Sequence, residues 1–167
     1  CQAYRRQYGV SFISAMPTHL YGPNDNYDLQ PSHELPALIR KFHDATKSGE
    51  RTVTCWGTGA PLREFLYSDD LGKAVVFLMR HYDEEDFINV GSGQEISIRD
   101  LVTLVKDTAG YRGEVVWDSS KPDGTPRKLM DSSRLLALGW RPEVDLPTGI
   151  RLAYQDYQAR GGQRRLD

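Results

Sequence analysis

Cysteine is scarce: Cys1 and Cys55 are the only two in 167 residues, and neither lies in a CxxC or Cys/His spacing. The spacing carries no disulfide framework and no zinc module, and so few cysteines point to a reducing, cytosolic setting. Long apolar runs are missing too. Stretches such as AVVFLM at 74–79 fall far short of the roughly 20 residues that cross a bilayer, and no leader-like run opens the chain, so a soluble protein is expected. Neither sign of charge dominates. The formal net charge is -2, the pI is about 6.1, and the lysines and arginines are scattered, which leaves no footprint for nucleic acid or an anionic membrane. No Gly-x-Gly-x-x-Gly turn and no loop ending in Gly-Lys-Ser/Thr occurs. No tyrosine is followed four residues later by lysine, so a hydride-transfer site cannot be complete within these residues.

What is present is ordinary globular material, 39% hydrophobic and 26% charged, of a size for one domain or a large part of one. The opening CQAYRRQYGV lacks methionine and reads as the last turns of a helix, with Tyr4 and Tyr8 one turn apart and Gly9 as C-cap. VSFISAM follows as an apolar strand ending at Pro17. The chain is thus expected to begin inside a larger unit and to expose some apolar surface. A loop from Pro17 to Pro31 leads to a helix capped by Ser32, with Leu35, Leu38, Ile39 and Phe42 at helical spacing up to Ser48 and Gly49. RTVTCWG reads as a strand, and Ser68-Asp69-Asp70 starts a helix carrying Leu71, Ala74, Val75, Leu78 and Met79. FINVGSG gives a strand and glycine turn. ISIRDLVTLVKDTAGY gives a helix with Ser97 as N-cap and Gly110 as stop, GEVVWD a strand, and SSKPDGTPRK a turn. DSSRLLALGW and LPTGIRLAYQDYQARG give two more helices before GGQRRLD, which is expected to fray. About five helices among four or five strands support α/β or α+β.

Four groups of residues could carry chemistry. Thr18 and His19 follow the carboxyl end of an apolar strand, where open α/β sheets bind ligands, and would offer polar groups and free backbone N–H groups there. The alternative is a loop whose Thr, Tyr and Asn serve turn hydrogen bonds. His33, in the first turn of the next helix, is a general acid or base, or else a solvated surface histidine. Trp56, with Gly57, Gly59 and Arg63, could stack on a base and grip a phosphate, or be a core aromatic and a surface cation. Lys121, Asp123, Arg127 and Lys128 are either a phosphate and ribose clamp or a charged loop.

PTHLYGPNDNYD, PSHELPALIRKFHDA, VTCWGTGAPLREFLYSDDL, INVGSG, KPDGTPRKLMD and LGWRPEVDLPTGI together resemble the carboxy-terminal part of the GDP-L-fucose synthase family. Its members are bifunctional 3,5-epimerases and 4-reductases of GDP-4-keto-6-deoxy-D-mannose within the extended short-chain dehydrogenase/reductase superfamily. SHELPALI and WGTG-REF are specific to that family, whereas YGP and DDL are shared with many nucleotide-sugar enzymes. The resemblance implies an α/β fold comprising the end of a Rossmann domain and a smaller α/β substrate-binding lobe. Residues 1–30 would be the distal part of the NADP-binding domain. Residues 31–167 would be mainly the GDP-sugar lobe, with some segments returning to the Rossmann sheet.

By the same resemblance, Pro17, Thr18, His19, Leu20 and His33 would touch NADP(H), and His33 would be the acid that protonates the substrate carbon. Trp56 and Arg63 would hold GDP, and Lys41, Asp123 and Lys128 would make further substrate contacts. Two positions depart from the family, which usually has Asn at His19 and Arg at Lys41; lysine keeps the charge but not the planar fork. The glycine-rich cofactor loop, the Ser-Tyr-Lys set and the cysteine opposite the histidine lie ahead of the matched region in the family. The chain alone is therefore expected to be inactive. The resemblance implies a homodimer for the full enzyme, no metal, and neither nucleic acid nor membrane as partner. Two alternatives stay open: part of a nucleotide-sugar 4,6-dehydratase or 4-epimerase, or a non-catalytic nucleotide-sugar-binding module.

Overall fold

The structure is a computed structural model that describes residues 1–28 and 32–161. The end of the expected loop at Pro31 and nearly all of the GGQRRLD tail lie outside the described residues. Helix α1 (Gln2–Tyr8) stops at Gly9, which takes the left-handed conformation at φ 65° that glycine adopts without steric cost. Two three-residue strands follow, β1 (Ala15–Pro17) and β2 (His19–Tyr21). Helix α2 (Glu34–Ser48) buries Leu35, Leu38, Ile39, Phe42 and Ala45 on one face and ends at Gly49, again left-handed. Strand β3 (Thr52–Trp56) alternates exposed and buried residues, with Val53 and Cys55 inward.

Strand β4 (Leu62–Tyr67) leads directly into α3 (Ser68–His81). After it come β5 (Ile88–Val90), β6 (Glu95–Ser97) and α4 (Ile98–Thr108), whose N-cap Ser97 accepts from the Asp100 N–H as its sequence predicts. The chain closes with β7 (Glu114–Asp118), β8 (Arg127–Lys128), α5 (Ser133–Ala137) and α6 (Leu146–Ala159), the last capped by Asp145. Strand β4 is central. It pairs in parallel with β2 and β8 and antiparallel with β6, while β1 with β5 and β3 with β7 form two further parallel pairs.

Period-two alternation along β4 divides its side chains between two apolar clusters. Phe65 and Tyr67 join the larger cluster, built from α2, α4 and α6 around Phe42, Leu101 and Ile150. Leu66 joins the smaller one, with Leu78, Ile88, Val90, Leu135 and Trp140. One strand is thus the seam between two cores.

Several expectations are corrected. Of the expected VSFISAM strand only Ala15 and Met16 enter β1, which ends at Pro17 as expected; all three residues of β1 are exposed, an edge position where the missing N–H of Pro17 is tolerated. The stretch taken as loop from Pro17 contains β2, because tertiary pairing with β4 outweighs the flanking proline and glycine. His33, not Ser32, caps α2, and Tyr67, not Ser68, caps α3. Asp70 does lie in the first turn of α3 as its sequence predicts, and it is buried there, accepting the N–H groups of Glu143 and Val144 at 3.1 and 2.9 Å. The described residues hold six helices and eight strands, and three of the added strands, β2, β6 and β8, have only two or three residues, too short to show periodicity.

Apolar surface is exposed as expected: Tyr4, Tyr8, Phe12 and Met16 are each about half exposed, and Met79 on α3 is 74% exposed. Phe42 is fully buried in the larger cluster. Phe42→Ala is therefore expected to cost about 3–5 kcal/mol, and Met79→Ala within roughly 0.5 kcal/mol, read as midpoint shifts in urea denaturation.

Candidate functional site

The Pro17–Tyr21 segment runs along the edge of β4, and this places its residues against the chain that follows β8. The Thr18 N–H donates to Val90 O at 3.0 Å, and its hydroxyl donates to Glu64 O at 3.3 Å. His19 Nδ1 lies 3.1 Å from the same carbonyl. The expectation that Thr18 would present a free N–H to a ligand is overturned, because the fold uses that N–H itself. What the segment offers is shape: Pro17, Thr18, His19 and Leu20 line a cleft of about 610 Å3, together with His33, Ser68 and residues 128–130.

A second cavity, of about 210 Å3, shares His19, Leu20, His33 and Lys128 with the first and adds Glu34 and Arg63. The fold thus brings together seven residues singled out in the sequence: Pro17, Thr18, His19, Leu20, His33, Arg63 and Lys128. His33 gets there as N-cap of α2, with no cap hydrogen bond from its side chain. Arg63 and Lys128 get there as ladder partners of β4 and β8. Arg63 Nη1 is anchored on Leu62 O at 2.8 Å and Thr125 O at 2.7 Å, which sets the guanidinium plane.

Trp56, Asp123 and Lys41 line neither cavity. Trp56 is 70% exposed, with Lys121 Nζ 5.7 Å from its ring centroid. The Asp123 carboxylate accepts from the backbone N–H and hydroxyl of Thr58, at 2.8 and 2.6 Å. A side chain at Gly57, itself at φ 76°, would collide with that carboxylate. Lys41 Nζ donates to Thr54 O. Arg127, one of the candidate clamp residues, is engaged instead by both oxygens of Glu95 at 2.7 Å.

Sequence reasoning missed two acids. Glu34 lines the smaller cavity; desolvation raises its carboxyl above the usual range, while Arg63 and Lys128 pull it back down. Glu64 is fully buried behind the cleft. Its signal was an acid within the apolar run of REFLY, a position where a solvated side chain has no place. No group of three His, Cys, Asp or Glu suited to a metal ion occurs among the described residues, and no helix among them is long and apolar enough to cross a membrane.

Burial holds the His19 imidazole below its usual value of 6.5; the Glu64 carbonyl opposes this, and Lys128, Arg63 and His33 add to it. The cleft is thus lined by an imidazole that stays neutral near pH 7 and by fixed cations. Residues 1–91, over half of the chain, match one protein-family model, Epimerase. The chain belongs to the NAD dependent epimerase/dehydratase family.

Within this family the chain is 58% identical over 157 residues to Probable GDP-L-fucose synthase 1 of Oryza sativa subsp. japonica, covering 94% of this chain and 48% of that protein. It is 56% identical over 157 residues to GDP-L-fucose synthase 1 of Arabidopsis thaliana, covering 94% and 49%. A solved GDP-L-fucose synthetase from Naegleria fowleri, bound to NADP, superposes with a TM-score of 0.89 at 30% identity, covering 98% of this chain and 52% of that one. The chain spans about half the length of the curated relatives it matches. The α/β expectation holds: in this epimerase/dehydratase half, four of the five strand pairings are parallel.

Because folded His19 binds its proton less readily than the unfolded chain does, the unfolded state holds more protons below about pH 6.5. Stability is therefore lost as pH falls from 7 through the imidazole range. The replacement His19→Asn is expected to flatten that slope in thermal melts between pH 7 and 5. Buried His43, which is shifted in the same direction, leaves a residual slope.

Proposed function

We propose that the chain is the substrate-binding part of a GDP-L-fucose synthase, which converts GDP-4-keto-6-deoxy-D-mannose to GDP-L-fucose by 3,5-epimerisation and NADPH-dependent 4-reduction. The observation that carries this is the juxtaposition of His33 with Arg63 and Lys128 in one cavity lining, in a chain 58% identical to a probable GDP-L-fucose synthase. An imidazole beside two cations suits proton transfer on a sugar attached to a diphosphate.

The larger cleft fits the nicotinamide end of NADP(H). Pro17, Leu20, Leu129 and Met130 provide apolar surface for a flat ring, and Ser68 and His33 provide polar atoms for its carboxamide. Pro17, Thr18, His19, Leu20 and His33 would hold it. The cofactor, when bound, supplies the hydride that reduces the 4-keto group.

This chain's own part in the chemistry falls to His33. The keto group acidifies the flanking carbons, a base on the face opposite His33 takes the proton from the carbon, and His33 as the acid returns one from its own face. Arg63, anchored on two carbonyls, and Lys128 hold the diphosphate. Trp56 stacks on the guanine, with Lys41 near it and Asp123 contributing acceptor capacity beyond its two bonds to Thr58. Residues 1–30 belong to the cofactor domain and 31–167 mainly to the substrate lobe; the parallel pairing of β1 with β5 supports a return of the later chain to the first sheet. A homodimer in the reducing cytoplasm completes the reading.

A second reading, a 4-epimerase or 4,6-dehydratase on another nucleotide sugar, has the support of the fold: UDP-glucose 4-epimerase of Thermotoga maritima superposes with a TM-score of 0.81, at 24% identity. Calorimetric titration with GDP, UDP and dTDP separates the readings. Binding of GDP at least about tenfold tighter than UDP or dTDP is expected, and a preference for UDP or dTDP would replace the first reading with the second. The isolated chain should not oxidise NADPH in the presence of the keto-sugar, since no tyrosine–lysine pair at the four-residue spacing lies within it; turnover above background would refute that.

A further inference from the structure

Glu64 is fully buried, yet each of its oxygens is engaged. Oε1 accepts the Gly93 N–H at 2.7 Å and Oε2 accepts the Met130 N–H at 3.1 Å. Its main-chain oxygen accepts from Thr18 Oγ1 and contacts His19 Nδ1. One residue therefore touches three separate segments: β2 and its approach, the glycine turn after β5, and the chain after β8.

The last of these needs outside help. Strand β8 has only two residues, pairing Arg127 with Leu62 and Lys128 with Arg63, too short a ladder to fix the chain beyond it. Met130 is two residues past Lys128, and its N–H is held by the Glu64 carboxylate. A side chain on β4 thus continues the pairing where the backbone ladder stops. Apolar replacements would fill the space but accept neither N–H, and a buried carboxylate is tolerated only where donors compensate its lost hydration. Gly91 leaves room for it, since a Cβ there would collide with Glu64 Oε1 and Ser132 Oγ.

We propose that Glu64 is a positioning residue: by bridging the Gly93 and Met130 amides it fixes Lys128 beside Arg63, so that a nucleoside diphosphate meets two cations at a set separation. This rests on the reading of Arg63 and Lys128 as the diphosphate-holding pair. Glu64 acts through Lys128, so its loss matters to the ligand only while Lys128 is present.

The test is calorimetric titration of the chain with GDP for wild type, Lys128→Ala, Glu64→Gln, the Glu64→Gln/Lys128→Ala double variant and Gly91→Ala. Lys128→Ala is expected to weaken GDP about tenfold, the worth of one charge-assisted contact. Glutamine keeps one acceptor oxygen but turns an NH2 on the other N–H, and should weaken GDP to a similar degree. The double variant should be no weaker than Lys128→Ala beyond about twofold, the non-additivity expected of coupled residues. Gly91→Ala displaces the carboxylate without removing it and should reproduce the loss, including the case in which Glu64→Gln does not fold by circular dichroism. Losses that multiply in the double variant, or unaltered GDP binding in both Glu64→Gln and Gly91→Ala, would overturn the inference alone. GDP binding that ignores Lys128→Ala, or no GDP binding by wild type, would overturn the reading of the cleft and the inference with it.

Discussion

Strand β4 has to satisfy two apolar cores and a polar cleft at once, and the rest of the structure is arranged around that demand. Its alternation sends Phe65 and Tyr67 one way and Leu66 the other. Its ladder carries β2, β6 and β8, so the cleft residues inherit their positions from a strand buried from Arg63 to Tyr67. Loops that bind ligands are usually the mobile part of a domain, and precision comes from the scaffold that holds them. Here the scaffold is six residues long. Slipping it by one would exchange the faces and put Phe65 where Glu64 now stands.

The electrostatics of the cleft follow from that placement. Two cations, Arg63 and Lys128, sit as cross-strand neighbours, an arrangement that is unfavourable without an anion nearby. Glu34 is the one acid among the residues lining the smaller cavity, so by formal charge it offsets only one of the two cations. The surplus of positive potential is what an anionic ligand would use. Burial holds the His19 imidazole below its usual value and these cations add to it, while the His33 side chain makes no cap hydrogen bond to α2.

Much of this was legible in the residues. The helical spacing of Leu35, Leu38, Ile39 and Phe42, the cap at Ser97 and the alternation of TVTCW are local signals, and local signals survive folding. Strand β2 was not legible, because three residues between Pro17 and Gly22 have no period to detect. Asp70 looked like an acid at a helix start and proved to be the buried acceptor for two amides more than 70 residues away. In the site, His19, His33, Arg63 and Lys128 could be chosen by chemistry and motif, and the fold does gather them. That Thr18 would spend its donors on Val90 and Glu64, and that Trp56 would stand outside both cavities, depended on pairings that no local pattern encodes.

The Thr58–Asp123 clasp joins positions 65 residues apart in the chain, and between them lie β4, α3, β5, β6, α4 and β7. Closing so long a segment costs entropy before its few bonds return anything, so the rim beside Trp56 belongs to the late stages of assembly. Being made of exposed bonds, the same rim is the natural place for the molecule to breathe, and slow or fast amide exchange at Thr58 would report which of these descriptions holds.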